Sequence, residues 1–252
     1  MNANLFVVAI FVQGLFSQVA LGQAAQGNEQ PEAPVVSAEE IVVIGYKNAE
    51  GKLYANMLKG LDAFSKQHTL APDAELRFLL RPRAQAATLE EITVSISGES
   101  EFAPIKVAPD GTFSLPQIQS PVDDDAQLVL NRKQGEVVWR PYVRSPGITA
   151  ESLRLGDLRL ECEVLWAIER EDVSILIRAA FGAVGGACHS SKIGIAFPVD
   201  REITSAKLQH GERIQPIQIA KGSRAFYPPL HDKSWSNEAR IQLEFAQQSP
   251  LY

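Results

Sequence analysis

Residues 158–188 read LRLECEVLWAIEREDVSILIRAAFGAVGGAC and hold both cysteines of the chain, Cys162 and Cys188. Leu158, Leu160, Cys162 and Val164 alternate with Arg159, Glu161 and Glu163. That period predicts a strand with Cys162 facing inward. Glu169 to Asp172 form a charged turn. Residues 173–184 are apolar enough for a buried helix, with a buried strand as the alternative. Gly182, Gly185 and Gly186 are expected to fray its end. In an oxidising compartment the two thiols pair, and the C-terminal half is then built around the bridge. A loop of this size gains about 3–4 kcal/mol from closure, mostly by restricting the unfolded chain.

The compartment is read from the other end of the chain. Leu5 to Leu21 are nearly all apolar and uncharged, and Ala20-Leu21-Gly22 places small residues where a signal peptidase reads. Residues 1–22 are therefore expected to be a signal peptide cleaved after Gly22, with a retained anchor as the alternative. Gln13, Ser17 and Gln18 interrupt the run, which is at the minimum length for a span. No cysteine follows the cleavage point to carry a lipid. Residues 23–40, rich in Gln, Ala, Pro and Glu, have no apolar period and read as a disordered linker. The mature chain is expected to be soluble and periplasmic or secreted.

The chain has 252 residues, 45% of them hydrophobic, and a net charge of −6. An acidic chain with only short basic clusters (Arg77, Arg81 and Arg83; Arg132 and Lys133) gives no electrostatic reason to expect nucleic acid.

From Ile41 the pattern becomes that of a folded protein. Ile41 to Gly45 reads as a short strand. Leu53, Met57, Leu61 and Phe64 recur at one helical turn and predict an amphipathic helix ending before Pro72. Glu75 to Leu80 reads as a strand stopped by Pro82. Ile92, Val94 and Ile96 alternate with Thr93, Ser95 and Ser97, and a second short strand covers residues 103–107. Gln127 to Asn131 and Glu136 to Val143 read as a pair across Lys133-Gln134-Gly135. Short strands at this spacing predict a sandwich.

The run Ile105-Lys106-Val107-Ala108-Pro109-Asp110-Gly111-Thr112-Phe113-Ser114-Leu115 resembles the DGxFxL hairpin of carboxypeptidase-regulatory-like (transthyretin-like) β-sandwiches. The usual first strand of that family is absent. The resemblance implies a binding or spacing module without an active site. More widely, Gly156 to Cys162, Cys188-His189-Ser190-Ser191 and Pro228 to Asp232 make the chain similar to uncharacterised exported proteins of Gram-negative bacteria. That resemblance implies a location and no chemistry.

Ser145-Pro146-Gly147 is a breaker cluster that marks a boundary. The expected architecture is mainly β, of the α+β class. It comprises two small β-sandwich-like domains, residues 41–147 and 148–248. The first carries the N-terminal amphipathic helix, and the second carries one helix and is closed by the bridge. Residues 192–198, 206–208, 214–219 and 240–245 are the strands of the second, with Gln209-His210-Gly211-Glu212 as a hairpin turn.

Chemistry is sparse. His68, His189, His210 and His231 have no partner at a metal-ligand spacing, and the cysteines are taken up by the bridge. No GxSxG, SxxK, HExxH or phosphate loop occurs. Asp123-Asp124-Asp125 lacks the alternating spacing of a calcium loop. No catalytic residue, metal or cofactor is assigned. The polar cluster that remains is Tyr227 to Trp235, with Tyr227, His231, Asp232 and Trp235 as a candidate ligand or partner loop. The alternative is that Trp235 plugs the end of the sandwich.

The expected role is non-enzymatic, in binding or envelope assembly, with an envelope protein or glycan as partner. One alternative is a hydrolase of envelope polysaccharide or peptide, drawing its acids from Glu161, Glu163, His231 or Asp232. Glu161 and Glu163 would share one face of a strand. The other alternative is a docking subunit of a secretion or pilus system, which an exposed apolar patch would favour.

Overall fold

The computed structural model describes residues 49–82, 89, 92–97, 104–117 and 125–247. The expected signal peptide, the linker, the strand at 41–45 and the acidic pair Asp123-Asp124 lie outside the described residues. The described residues belong to one compact unit. Its class is α+β and mainly β, with four small antiparallel sheets and three helices.

The first half is a sandwich of two three-stranded sheets. One has the order β1 (Ala49–Leu53), β5 (Gln127–Lys133), β3 (Val94–Ser97). The other has the order β4 (Thr112–Phe113), β2 (Glu75–Pro82), β6 (Val137–Arg144). Val94, Ile96, Leu128 and Leu130 from the first meet Phe78, Leu80, Phe113, Val137 and Trp139 from the second in one core. β5 and β6 were expected to pair with each other. Instead the turn at 133–136 carries the chain from one sheet to the other: β5 pairs with β1 and β3, and β6 pairs with β2 over its whole length. Both strands alternate, and alternation names a buried face without naming the neighbour. The Asp110-Gly111 turn behaves the same way. The Ala108 amide donates to Thr112 O at 2.7 Å, and Gly111 takes a φ of +78°. Yet Ile105 bridges Val94 in the first sheet, while Phe113 pairs with Phe78 in the second. The expected strand at 103–107 is thus reduced to that bridge among its described residues.

Helix α1 (Tyr54–Lys66) follows the apolar period from Met57 on, burying Tyr54 and Met57 and packing Leu61 and Phe64 against the same core, whereas Leu53, expected on the stripe, ends β1 and is exposed. A 3-10 turn, His68–Leu70, ends it ahead of Pro72.

The segment expected as the Cys162 strand is instead α2 (Leu155–Glu169). Residues 158, 160, 162 and 164 fit a strand, but the same set splits into 3.6-period rows. Val164 and Ile168 belong to the sandwich core; Leu155, Leu158 and Cys162 belong to the core of the second half; Leu160 packs with Ala71, Ala74 and Val143. A helix buried on nearly every side leaves no clean amphipathic stripe. From Leu155 to Glu163 there is no β-branched residue, and such residues favour strands. The breaker at 145–147 is a turn into β7 (Ser152–Arg154), and α2 then contributes to the cores of both halves.

Helix α3 (Ile175–Ala183) forms where the apolar run predicts a helix, but it is not buried: none of its residues is, and Leu176 is 82% exposed. Its half-buried residues are Arg178, paired with Glu171, and Phe181, edge-on to Trp166 at 5.1 Å. Its glycines do not fray the end. Gly186 N donates to Phe181 O at 2.8 Å and Gly185 N to Gly182 O at 3.1 Å, both glycines at positive φ. That is a Schellman cap.

The second half has a four-stranded sheet, β10 (Arg213–Pro216), β9 (Ile203–His210), β13 (Arg240–Phe245), β7. Beside it lies a small sheet, β11 (Gln218–Ile219), β12 (Ala225–Tyr227), β8 (Phe197–Pro198). The expected hairpin at 209–212 is present, with His210 paired to Arg213. The strand expected over 192–198 is confined to Phe197–Pro198.

Candidate functional site

Cys162 and Cys188 form a disulfide. The bridge fastens the segment after α3 to the middle of α2, and a cavity of about 370 Å³ opens against it. Its apolar wall is Leu70, Leu230, Trp235 and Cys188; its polar groups include Glu163, His189, His231 and Asn237. Glu163 follows Cys162 by one residue and His189 follows Cys188 by one, so the bridge brings them together. His189 Nε2 lies 2.9 Å from Glu163 Oε1. Burial pushes the Glu163 carboxyl above its ordinary value, and His189 pulls the other way.

Arg159, one turn before Glu163, holds the far wall. Its guanidinium donates to Leu230 O at 3.0 Å, Asp232 O at 2.6 Å, Trp235 O at 3.1 Å and Asn237 Oδ1 at 2.6 Å. Four acceptors from one loop on one side chain fix that loop's shape. The sequence carries no separate signal for this role, because Arg159 stands with Glu161 and Glu163 as one of the charged residues alternating with Leu158, Leu160 and Cys162.

The candidate loop is only partly assembled here. His231 and Trp235 line the cavity. Trp235 is 2% exposed, donates through Nε1 to Gln215 Oε1 at 3.3 Å, and carries the Arg213 guanidinium 3.8 Å from its ring centroid. It is a core residue of the second half. Asp232 turns its carboxylate to Ser234, accepting from its amide at 2.9 Å and its hydroxyl at 2.6 Å. Those bonds hold its carboxyl below the usual range. Tyr227 is not among the lining residues and packs beside Gly194.

Glu161 and Glu163 do not share a face. Two residues along a helix is a rotation of about 200°, and Glu161 points away from this cavity, to Arg140 and Arg144. The pairing of acids that a strand would have given is therefore absent. Among the described residues no third His, Cys, Asp or Glu joins Glu163 and His189 to hold a metal. The cavity offers hydrogen-bonding groups on one side and an apolar wall on the other, the pattern of a site for a small polar molecule with one apolar face.

Comparison with family models, with curated proteins and with solved structures finds no match to this chain. Among the described residues no helix is long and apolar enough to cross a membrane.

Proposed function

We propose that this is a non-enzymatic exported protein of the Gram-negative periplasm that binds an envelope glycan in the cavity beside its disulfide. One observation carries the reading: Cys188 of the Cys162–Cys188 bridge lines the cavity, and the residues that follow the two cysteines, Glu163 and His189, meet at 2.9 Å. A site whose geometry depends on a disulfide belongs in a compartment where disulfides persist. A sugar has the chemistry of the cavity, hydroxyls for Glu163, His189 and Asn237 and an apolar face for Leu230 and the bridge. The test is titration of the oxidised mature chain with soluble muropeptides, followed by amide chemical shifts. The expected shifts fall on Arg159, His189, His231 and Asn237 and disappear on reduction. Shifts scattered over the surface, or none, would refute the glycan site.

A docking role is a second reading with its own observation. α3 presents Ile175 at 75% and Leu176 at 82% exposed, and the bridge fastens the segment that follows the helix. An apolar helix face of this kind suits a partner protein with an apolar groove. Leu176→Glu would then abolish a cross-linked complex in the envelope and leave muropeptide binding intact.

A further inference from the structure

A second cavity, of about 310 Å³, shares no lining residue with the first. It lies over the outer face of the β4-β2-β6 sheet. Antiparallel register places Leu79 opposite Arg140, Arg81 opposite Val138 and Glu75 opposite Arg144. Arg81, Arg140 and Arg144 therefore share the face turned away from the Phe78–Trp139 core. Pro198, Val199 and Phe245 from the second half supply apolar surface to the cleft, over the buried Phe197 and Phe226, and the Arg140 guanidinium lies 5.1 Å from the Phe197 ring centroid.

The arginines of this cleft outnumber the carboxylates they contact. Arg140 and Arg144 share one buried carboxylate: Arg140 Nη2 is 3.1 Å from Glu161 Oε1, and Arg144 Nη1 is 2.7 Å from Glu161 Oε2. Arg81 pairs through Nη1 with Asp200. Three guanidinium groups thus meet two carboxylates. Two other charged side chains, Asp110 and Arg201, line the cleft without contacting these three arginines. Asp110 accepts from the Thr112 amide at 3.0 Å and hydroxyl at 2.6 Å, and Arg201 pairs with Glu151. Burial, with Arg140 and Arg144 nearby, pushes the Arg81 guanidinium below its ordinary value although Asp200 opposes this.

Donors are also in excess. The Nε groups of Arg81 and Arg140 are buried without a hydrogen-bond partner. The Nη2 groups of Arg81 and Arg144 make no hydrogen bond among the described residues and are not among the buried unpartnered atoms, so they are open to an incoming acceptor. A cationic group with a buried unpaired donor is costly, and an anion seated against it offsets part of that cost. Guanidinium forks match the two oxygens of a carboxylate. We infer that this cleft binds a small organic monocarboxylate, its oxygens accepting from Nη2 of Arg81 and Arg144 and its apolar body lying against Pro198 and Val199.

The test is calorimetric titration of the oxidised chain with phenylacetate and a panel of aryl and alkyl monocarboxylates. Phenylacetamide serves as the neutral match and inorganic phosphate as the anion without an apolar body. A carboxylate is expected to bind at least about tenfold more tightly than either control. Arg81→Gln is the informative variant, because its partner Asp200 is half exposed and is not left as a buried charge; it should weaken carboxylate binding about tenfold while its melting curve stays near wild type. Arg81→Lys, which keeps the charge beside Asp200 and loses the guanidinium fork, gives a second reading should Arg81→Gln melt early. Equal binding of amide and acid, equal binding of phosphate, or no binding by any carboxylate would overturn the inference. So would full binding by both arginine variants.

Discussion

Glu161 and Glu163 stand two residues apart on α2 and serve opposite cavities. Glu161, 2% exposed, lies between Arg140 and Arg144, and Glu163 meets His189 beside the disulfide. One helix thus separates a cationic cleft from a glycan-sized pocket, and substitutions along it should part the two.

Glu161→Ala leaves Arg140 and Arg144 facing each other with no carboxylate and removes an acceptor 3.4 Å from the Val143 amide. Stranding buried charges is expensive, so the loss should be about 3–5 kcal/mol in denaturant unfolding. Glu244→Ala, which breaks only the exposed pair with Lys207, should stay within about 0.5 kcal/mol of wild type. Similar costs for the two would show that the buried pair is not special.

Glu163 gives a pH signature. Its carboxyl is raised above the ordinary 4.5 by burial. A group that holds its proton more tightly when folded contributes stability below its unfolded value, and that contribution is lost as pH rises through the folded value. Glu163→Gln keeps the neutral shape without titrating. Melts at a series of pH values should show wild type losing stability relative to the variant, starting near 4.5 and continuing through the raised value. Parallel curves would mean that the carboxyl is not desolvated.

Gly156 is held where nothing larger fits. A Cβ there would meet Leu70 O at 2.2 Å and Asn237 Cβ at 2.9 Å, and the Gly156 amide donates to Asn237 O at 2.9 Å. Gly156→Ala should cost about 3 kcal/mol, at the upper end of overpacking. Because Asn237 lines the pocket, muropeptide affinity should fall with it. An alanine variant of unchanged stability would mean that the 237 loop yields easily.

Cys162→Ser, measured by calorimetry without reductant, should lower the melting temperature by roughly 6–12 °C, the thermal equivalent of about 3 kcal/mol at this chain length. It should also abolish muropeptide binding, whereas Trp235→Phe should lower stability and keep the site's polar groups. If Cys162→Ser binds as wild type does, the bridge does not build the pocket.

Much of this was legible before the structure, and the gaps have physical causes. The α1 stripe, the β3 and β13 alternations and the Gly211 turn are local patterns read locally. Strand pairing was not legible: β5 and β6 adjoin in sequence and separate into different sheets, because inward-facing residues are the same whichever strand lies beside them. α2 was mistaken for a strand because burial on several sides erases the helical period; the run free of β-branched residues from Leu155 to Glu163 was the usable signal. α3 looked buried because it is apolar, and composition does not say which apolar surfaces remain uncovered. The Cys162–Cys188 pairing was legible by count. The pocket was legible only in part: the sequence marks Glu163, His231 and Trp235, but Arg159 and His189 join them through a fold that no spacing encodes.

The central claim, an exported protein whose disulfide builds a binding pocket, is tested most directly by native mass spectrometry, without reductant, of the chain gently released from its own cell envelope. The account predicts a chain cleaved after Gly22, two hydrogens lighter than the dithiol, carrying a small saccharide adduct that is lost on reduction. An uncleaved chain with two free thiols and no adduct would contradict it.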